Sequence, residues 1–179
     1  MADEVAPLSV SYATASAEAV TAFVADRYAL RAPPTCALLH RGFNDVYAIG
    51  TDAGERFVLR LSGHRARGPA DVAAETGFLA HLDAAGVAVA AAVPGRDGAL
   101  HATATLPDGP RAAVLFRHAE GRRPDLDAPE DARVQGAALA RVHQVADGFA
   151  GRDAGRCAGS LGLGNRDWVG SAGISWDGA

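Results

Sequence analysis

Apolar and other side chains alternate over one short stretch of the chain, and this alternation predicts a β-strand. Phe57, Leu59 and Leu61 fall on one face of the strand, and Val58 and Arg60 fall on the other. An arginine therefore shares a strand face with a valine.

The helix that follows carries a glutamate on its apolar stripe. Glu75, Leu79 and Leu82 stand 3, 7 and 10 residues after Val72, a spacing that places all four on one helix face. A buried charge without a partner costs on the order of several kcal/mol. We therefore predict that the Arg60 guanidinium and the Glu75 carboxylate face each other within about 4 Å. Taken singly, Arg60 also suits an edge strand in solvent, and Glu75 also suits the border of its stripe.

Patterns elsewhere in the chain predict further helices and strands. Ser16 is a suitable N-cap for a first helix that ends near Leu30. The stretch that begins at Asp127 has the pattern of a capping box, with Asp127 as the cap of a last helix. Residues 150–179 are rich in glycine, show no apolar period and are predicted to be irregular. The remaining predicted elements are strands at 36–39, 46–49, 56–61, 87–93, 100–105 and 112–116 and a helix at 71–84.

The order of these elements predicts an α+β fold. Strands, one helix, more strands, a connector and a last helix follow one another along the chain. This order suits a small lobe made of an antiparallel sheet of about five strands with one helix packed on it. The last helix would begin a second, helical lobe.

Charge and composition exclude several classes of partner and site. The net charge of −4 provides no electrostatic case for nucleic acid, and all 17 basic residues are arginine, which excludes a lysine-bearing phosphate loop. The six histidines and two cysteines show no metal-ligand spacing. The cysteines are isolated, no apolar run reaches the roughly 20 residues of a membrane span, and the N-terminus lacks an export signal. We therefore expect a cytoplasmic protein without a membrane or nucleic-acid partner.

Several short motifs in a set order resemble the aminoglycoside phosphotransferase family, which includes homoserine-kinase-like and choline-kinase-like enzymes. The resemblance runs from about residue 38 to residue 149. It implies a protein-kinase-like, two-lobed fold that binds ATP, with Mg²⁺, between the lobes. Its carriers are His40-Arg41-Gly42-Phe43-Asn44-Asp45-Val46-Tyr47, the strand 57–61, Glu75 in its helix, the strand 113–116 running to Gly121, and Leu139-Ala140-Arg141-Val142-His143.

The resemblance also implies a division of the chain. A protein-kinase-like small lobe is followed by only the beginning of a helical lobe, so that lobe is truncated. The expected parts are an N-terminal helical extension (1–34), a nucleotide-binding small lobe (35–117), a hinge or connector (118–127), the first helix of the large lobe (128–149) and an irregular tail (150–179).

Residues of the small lobe receive roles from the same resemblance. Gly42 lets the backbone approach the nucleotide phosphates, and Asn44 takes a left-handed turn and donates a hydrogen bond. Arg60 holds the α- and β-phosphates, where the family often has lysine, and Glu75 anchors Arg60. Val58 covers the adenine. An ordinary hairpin turn suits Gly42 and Asn44 equally well.

The implied hinge starts at Phe116 and includes His118. Its backbone groups, and not its side chains, would bond the adenine edge, although the same residues also suit an ordinary linker. His143 matches the end of the first large-lobe helix in the family, and a structural role suits it better than a catalytic one.

The sequence departs from the family where the chemistry takes place. The family uses a loop of the type His-Gly-Asp-x-x-x-x-Asn and a later metal-binding aspartate, but no histidine follows His143 here. The nearest phrase surrounds Asp167, and Ala172 stands where a magnesium-binding asparagine is expected. We therefore assign no catalytic residue and no metal ligand.

Three functions remain open. The chain is an incomplete ATP-dependent kinase of a small-molecule hydroxyl, a non-catalytic nucleotide-binding or interaction module, or a truncated, inactive gene product. The hydroxyl acceptor cannot be read because the large lobe selects it. A small lobe without its partner lobe exposes apolar surface at the cleft, so we expect self-association through that face.

Overall fold

The computed structural model of the protein describes residues 10, 12–63, 68–125 and 127–149. The predicted irregular tail at 150–179 lies outside these ranges. Within them the elements are, in chain order, α1 (Ala17–Arg27), β1 (Pro34–Arg41), β2 (Asp45–Thr51), β3 (Arg56–Leu61), α2 (Pro69–Ala84), β4 (Ala102–Leu106), β5 (Gly109–Arg117) and α3 (Pro129–Ala146).

The five strands form one sheet in the order β1-β2-β3-β5-β4, and all neighbouring strands are antiparallel. The α+β class and the five-stranded sheet are therefore confirmed. β3 lies in the middle of the sheet, where its residues pair with β2 on one side and β5 on the other. A charged side chain on β3 consequently has no direct route to solvent at a sheet edge.

Each face of the sheet is covered by a helix. On the first face, Leu59 and Leu61 of β3 pack with Val20 and Val24 of α1. On the second face, strand residues pack against Val72 of α2. The alternation predicted for β3 separates these two cores, because successive side chains of a strand point to opposite faces. The helix α1, expected to be an extension, is part of the packed lobe.

The segment predicted to be a strand at 87–93 is not one. Its only strand-like contact in the described structure is a bridge between Ala92 and Phe116, with Val93 N–H donating to the Leu115 carbonyl at 2.7 Å. β4 already pairs with residues 109–113 of β5, so only the end of that edge is open to this segment. The apolar residues before the bridge were misread because they pack under α2, where Val87 joins the core.

The start of α3 also differs from its prediction. The N-cap residue is Ala128, without a side-chain hydrogen bond, and Pro129 occupies the first turn. The Asp127 capping box is therefore wrong. Asp131 takes the acidic position instead: its carboxylate accepts the Asp125 N–H at 2.7 Å and both Nη groups of Arg122 at 2.6 Å.

α1 begins at its predicted cap but is shorter than predicted. The Ser16 hydroxyl accepts the Ala19 N–H at 3.2 Å, and the helix ends at Arg27 because Tyr28 takes an extended conformation. Tyr28 is buried in the same core as α1, which holds the chain in that conformation.

In the described ranges, no helix combines the length and the apolar character that crossing a membrane requires.

Ionisation of the buried Tyr47 is expected to lower the stability of the fold at alkaline pH. Its side chain is fully buried, its hydroxyl donates to the Ala15 carbonyl at 2.9 Å, and burial raises its pKa to about 12. A raised pKa contributes stability below the unfolded value of about 10 that is lost as pH rises through the folded value. We expect urea denaturation between about pH 10 and 12 to show a smaller loss for Tyr47→Phe than for the parent.

Both proteins in that experiment should carry Cys36→Ser. Burial also raises the pKa of the Cys36 thiol, to about 11, so its titration overlaps the same range. Identical pH profiles for the two proteins would contradict the assignment to Tyr47.

Candidate functional site

Arg60 and Glu75 form a two-point ion pair between β3 and α2. Arg60 Nη1 donates to Glu75 Oε1 at 2.9 Å, and Nη2 donates to Oε2 at 2.6 Å. The side chains are only 7% and 13% exposed. The predicted pair is therefore confirmed, and the reading of Arg60 as a solvent-exposed edge residue is wrong. Two parallel hydrogen bonds define both the distance and the plane of the guanidinium.

The aromatic ring of Phe116 lies against the Arg60 guanidinium of this pair. The Arg60 guanidinium lies 5.1 Å from the centre of the Phe116 ring, a cation–π distance. Phe116 lies within β5 and is buried, whereas it was expected to begin the hinge. The last strand is longer than its apolar run, because β5 continues to Arg117, which pairs with Phe57. The position of the hinge stays a prediction.

His118 is the first residue after β5. Its backbone N–H donates to the Arg56 carbonyl at 3.2 Å, and the Arg117 N–H donates to the Ala91 carbonyl at 3.0 Å. The His118 ring lies 3.4 Å from Arg56 Nη2 and 3.2 Å from Glu120 Oε1. The sheet and this side-chain cluster thus hold the residue that follows β5.

The turn between β1 and β2 holds Gly42 and Asn44 at the other end of β3. The Asn44 side-chain oxygen accepts the N–H of Gly63, just past β3, at 3.2 Å. A Cβ on Gly63 would lie 2.1 Å from the Phe43 carbonyl oxygen, so only glycine allows this contact. The turn therefore contacts the segment that directly follows β3.

The left-handed conformation expected of Asn44 does not occur. Among the described residues only glycines have positive φ, so Asn44 is not left-handed. Its side-chain oxygen accepts the hydrogen bond from Gly63, a contact that local turn preferences do not report. The donation expected of its amide N–H groups stays a prediction.

The predicted site residues thus lie on β3 or next to it. His118 lies beside Arg56 at the start of β3, Val58 and Arg60 follow on the α2 face, and Gly63 at its end contacts the turn. Val58 is partly exposed and Arg60 is buried. Gly42 and Asn44 stand in the turn, Glu75 approaches from α2, and Phe116 approaches from β5.

A pocket of about 360 Å³ opens elsewhere on the molecule. Leu30, Glu55 and Pro94 are among the residues that line it, and it contains none of the predicted site residues. Leu30 packs against the α1-side core, whereas Ala92, which also lines the pocket, packs against the α2-side core, so the lining comes from both sides of the sheet. In the described ranges, no three His, Cys, Asp or Glu side chains come together as a metal site would require.

Sequence reasoning missed a second buried charge cluster, on the α1 face of the sheet. Arg111 is fully buried there with Asp45 and Asp108. The hydrogen bond from Arg111 is the largest of the causes that lower the pKa of the Asp108 carboxyl group. The available signal was the alternation that identified Arg60, because Arg111 is in phase with the buried residues Ala113 and Leu115.

The Arg60–Glu75 pair is expected to show strong energetic coupling. Arg60→Met removes both charged hydrogen bonds from the buried Glu75 carboxylate, and Glu75→Gln removes the charge that faces the buried guanidinium, so each should lower the unfolding free energy by about 3–5 kcal/mol. The double variant should lose clearly less than the sum, as measured by urea denaturation.

The exposed pair Arg133–Glu130, with side chains 73% and 67% exposed, is the matched control. The same cycle there should give a coupling below about 1 kcal/mol. Additive losses at Arg60 and Glu75 would contradict the burial of a mutually dependent pair.

A known protein family matches most of this chain. The sequence profile of the APH phosphotransferase enzyme family matches residues 35–169. This match extends past residue 149, where the resemblance was expected to end, and covers residues 150–169 of the tail.

Curated relatives extend well beyond this chain. An uncharacterized protein of Deinococcus radiodurans is 37% identical over 132 residues, which are 73% of this chain and 37% of that protein. An uncharacterized protein of Synechocystis sp. is 33% identical over 139 residues, which are 77% of this chain and 38% of that protein. The chain thus spans less than two-fifths of the length of the curated relatives that it matches.

Solved structures share the fold. The amicoumacin kinase hAmiN, in complex with AMP-PNP, Ca²⁺ and Ami, superposes with a TM-score of 0.62 at 21% identity, over 76% of this chain and 41% of that one. A microcompartment-associated aminopropanol kinase superposes with a TM-score of 0.55 at 24% identity, over 70% of this chain and 39% of that one. The fold agrees with these kinases, and the profile match over three-quarters of the sequence shows that the chain belongs to the APH phosphotransferase enzyme family.

Proposed function

We propose that this chain is the nucleotide-binding part of an ATP-dependent phosphotransferase that acts on a hydroxyl group of a small molecule. The observation that carries the proposal is the order of groups along β3, from the hinge through Val58 and Arg60 to the turn that contacts Gly63. This order matches the base-to-phosphate direction of a nucleotide laid along one strand.

Arg60 is suited to hold phosphate oxygens while it is paired. A guanidinium has more N–H groups than the two that donate to Glu75. Its Nε is buried and has no hydrogen-bond partner in the described part of the chain. An anion placed against this edge would satisfy that donor, and Glu75 would keep the guanidinium plane fixed during binding.

The two ends of β3 supply the remaining contacts. At the hinge end, Val58 offers an apolar, partly exposed side chain to a base. The N–H groups of Arg117 and His118 already donate to the carbonyls of Ala91 and Arg56, so we assign the hydrogen bonds to the adenine edge to the backbone from Ala119 onward. At the other end, Gly42 and Asn44 would cover the phosphates.

The neighbouring structures support a nucleotide, a divalent cation and a small-molecule acceptor. One is a kinase solved with AMP-PNP and Ca²⁺, and the other is named as an aminopropanol kinase. By analogy we propose ATP with Mg²⁺ for this chain, the cation supplying charge neutralisation of the phosphates. No residue is assigned to the cation, and no acceptor is selected.

We further propose that phosphoryl transfer needs groups beyond those of this chain. The sequence lacks the family's His-Gly-Asp loop, and the curated relatives are about twice as long. Residues 35–117 then form the small lobe, 118–127 the hinge and 128–149 the first helix of a large lobe. The isolated cysteines suit a cytoplasmic location.

A second candidate is a nucleotide-binding module without catalysis. The absent catalytic loop favours it, and a truncated, inactive product is its limiting case. Turnover separates these readings. A chain that binds ATP without hydrolysing or transferring phosphate acts as a module, whereas activity gained on adding the remainder of a long relative indicates an incomplete kinase.

Calorimetry with ATP and Mg²⁺ tests the proposed function. The wild-type chain should release or absorb heat with saturable binding, and Arg60→Ala should weaken the affinity by at least about tenfold because a charged hydrogen-bond donor to phosphate is lost. Arg60→Lys, which keeps the charge, should bind with intermediate affinity.

Arg133→Ala is the control for that measurement, because Arg133 is an exposed arginine on α3 and is far from β3 in the chain. Its affinity should equal that of the wild type. No binding heat from the wild-type chain would overturn the proposal.

The exposed apolar side chains of α3 predict self-association. Val134 and Leu139 are 59% and 50% exposed, and no residue of α3 is buried in the described structure. Covering such side chains removes apolar area from water. We expect the apparent mass in light scattering to rise with protein concentration, and the double variant Val134→Ser, Leu139→Ser to remain monomeric. If the parent has the same apparent mass at all concentrations, self-association through these side chains is contradicted.

A further inference from the structure

The charge cluster on the α1 face reaches the turn that carries Gly42 and Asn44. Arg111 Nη1 donates to Asp45 Oδ2 at 3.2 Å, and Nη2 donates to Asp108. The side chains of Arg111 and Asp45 are fully buried, and that of Asp108 is 3% exposed. Charges buried this completely require partners in defined positions. Asp45 is the first residue of β2 and therefore the last residue of the turn.

Tyr12, which precedes α1, completes this cluster. Its hydroxyl lies 2.8 Å from Asp45 Oδ1, to which it donates. Its ring lies 4.3 Å from the Arg111 guanidinium and 5.1 Å from that of Arg41. Burial, followed by the hydrogen bond to Asp45, raises the pKa of Tyr12, so the hydroxyl keeps its proton at neutral pH.

The chain next to Tyr12 is bound to the same cluster. The Ala13 N–H donates to Asp108 Oδ2 at 3.1 Å. Asp108 thus receives hydrogen bonds from Arg111 and from the backbone of the N-terminal segment. Two neighbouring residues of that segment are therefore attached to two different carboxylates.

Tyr12 also touches the turn directly. Its hydroxyl lies 3.3 Å from the Gly42 carbonyl oxygen, and its ring lies under Arg41. Together with Asp45, three residues of the turn are in contact with one tyrosine. On its other side the turn rests on Gly63 through Asn44.

We propose that Tyr12 is a positioning residue of the nucleotide site, which holds the turn of residues 41–45 from the sheet face opposite Arg60. The inference rests on the proposed function. It adds that the segment before α1 determines the geometry of the phosphate-covering turn. Tyr12 does not contact the nucleotide itself; it acts through Asp45 and the Gly42 carbonyl.

The role of Tyr12 predicts a selective loss of affinity for phosphate-bearing ligands. In the full chain, Tyr12→Phe keeps the ring but removes the hydrogen bond to a carboxylate. We expect calorimetry to show about fivefold weaker binding of ADP, with adenosine affinity within about twofold of the wild type. A general loss of structure would weaken both ligands alike.

Tyr28→Phe is the matched control. Tyr28 is buried in the α1-side core, in the same cluster as Leu115 of β5. This variant should leave the ratio of ADP to adenosine affinity unchanged.

A measurement without ligand makes the test independent of nucleotide binding. In the ¹⁵N-labelled chain, Tyr12→Phe should shift the amide resonances of Gly42 and Gly63, and Tyr28→Phe should not. Unchanged resonances, or equal weakening of ADP and adenosine, overturn the inference. A wild-type chain that binds neither ligand overturns the proposed function and the nucleotide role of Tyr12, while the resonances still report separately whether Tyr12 positions the turn.

Discussion

The desolvation of one arginine governs the architecture around the candidate site. Arg60 lies on a central strand, where its guanidinium is removed from water on a face that it shares with Val114 and Phe116. Such a charge is tolerated only when a partner meets it with good geometry. Glu75 satisfies this condition with two hydrogen bonds, and so the register of β3 and the position of α2 depend on each other. Since apolar residues could fill the same space without this cost, the pair indicates function more strongly than stability.

The helix that carries Glu75 is held at its other end by α3. Phe78, three residues after Glu75, makes an edge contact with Phe149 at a ring distance of 5.2 Å. His81 Nε2 lies 3.0 Å from the Val145 carbonyl oxygen. These contacts connect α3 and the residue Phe149 that follows it to the helix that carries Glu75. In the proposed kinase, this contact joins the phosphate-binding residues to the beginning of the second lobe by a route separate from the hinge.

Two buried arginines, one on each face of the sheet, converge on the same end of β3. Arg60 acts from the α2 face, and Arg111 acts from the α1 face through Asp45. The turn between β1 and β2 lies between the two clusters and also contacts Gly63. A turn that would otherwise be an exposed loop thus receives its position from packed elements, as a preorganised binding site requires.

The sequence by itself determined which side chains share a face. The alternation of β3 and the helical spacing around Glu75 were enough to predict the Arg60–Glu75 pair, because side-chain direction follows directly from local periodicity. The same reasoning gave the class and the sheet with about five strands. The family motifs extended this reading to the site residues, whose roles remain predictions.

Only the tertiary structure decided which neighbour each residue meets. Residues 87–93 are apolar enough for a strand, but β4 had already taken most of the available edge of β5. Asp127 has the composition of a cap, yet Asp131 is the residue that meets Arg122. The partners of Arg111 lie 3 and 66 residues away, and Tyr12 lies 33 residues from Asp45. Periodicity reports the face on which a side chain lies, whereas a hydrogen-bond partner is chosen by the packing of distant segments.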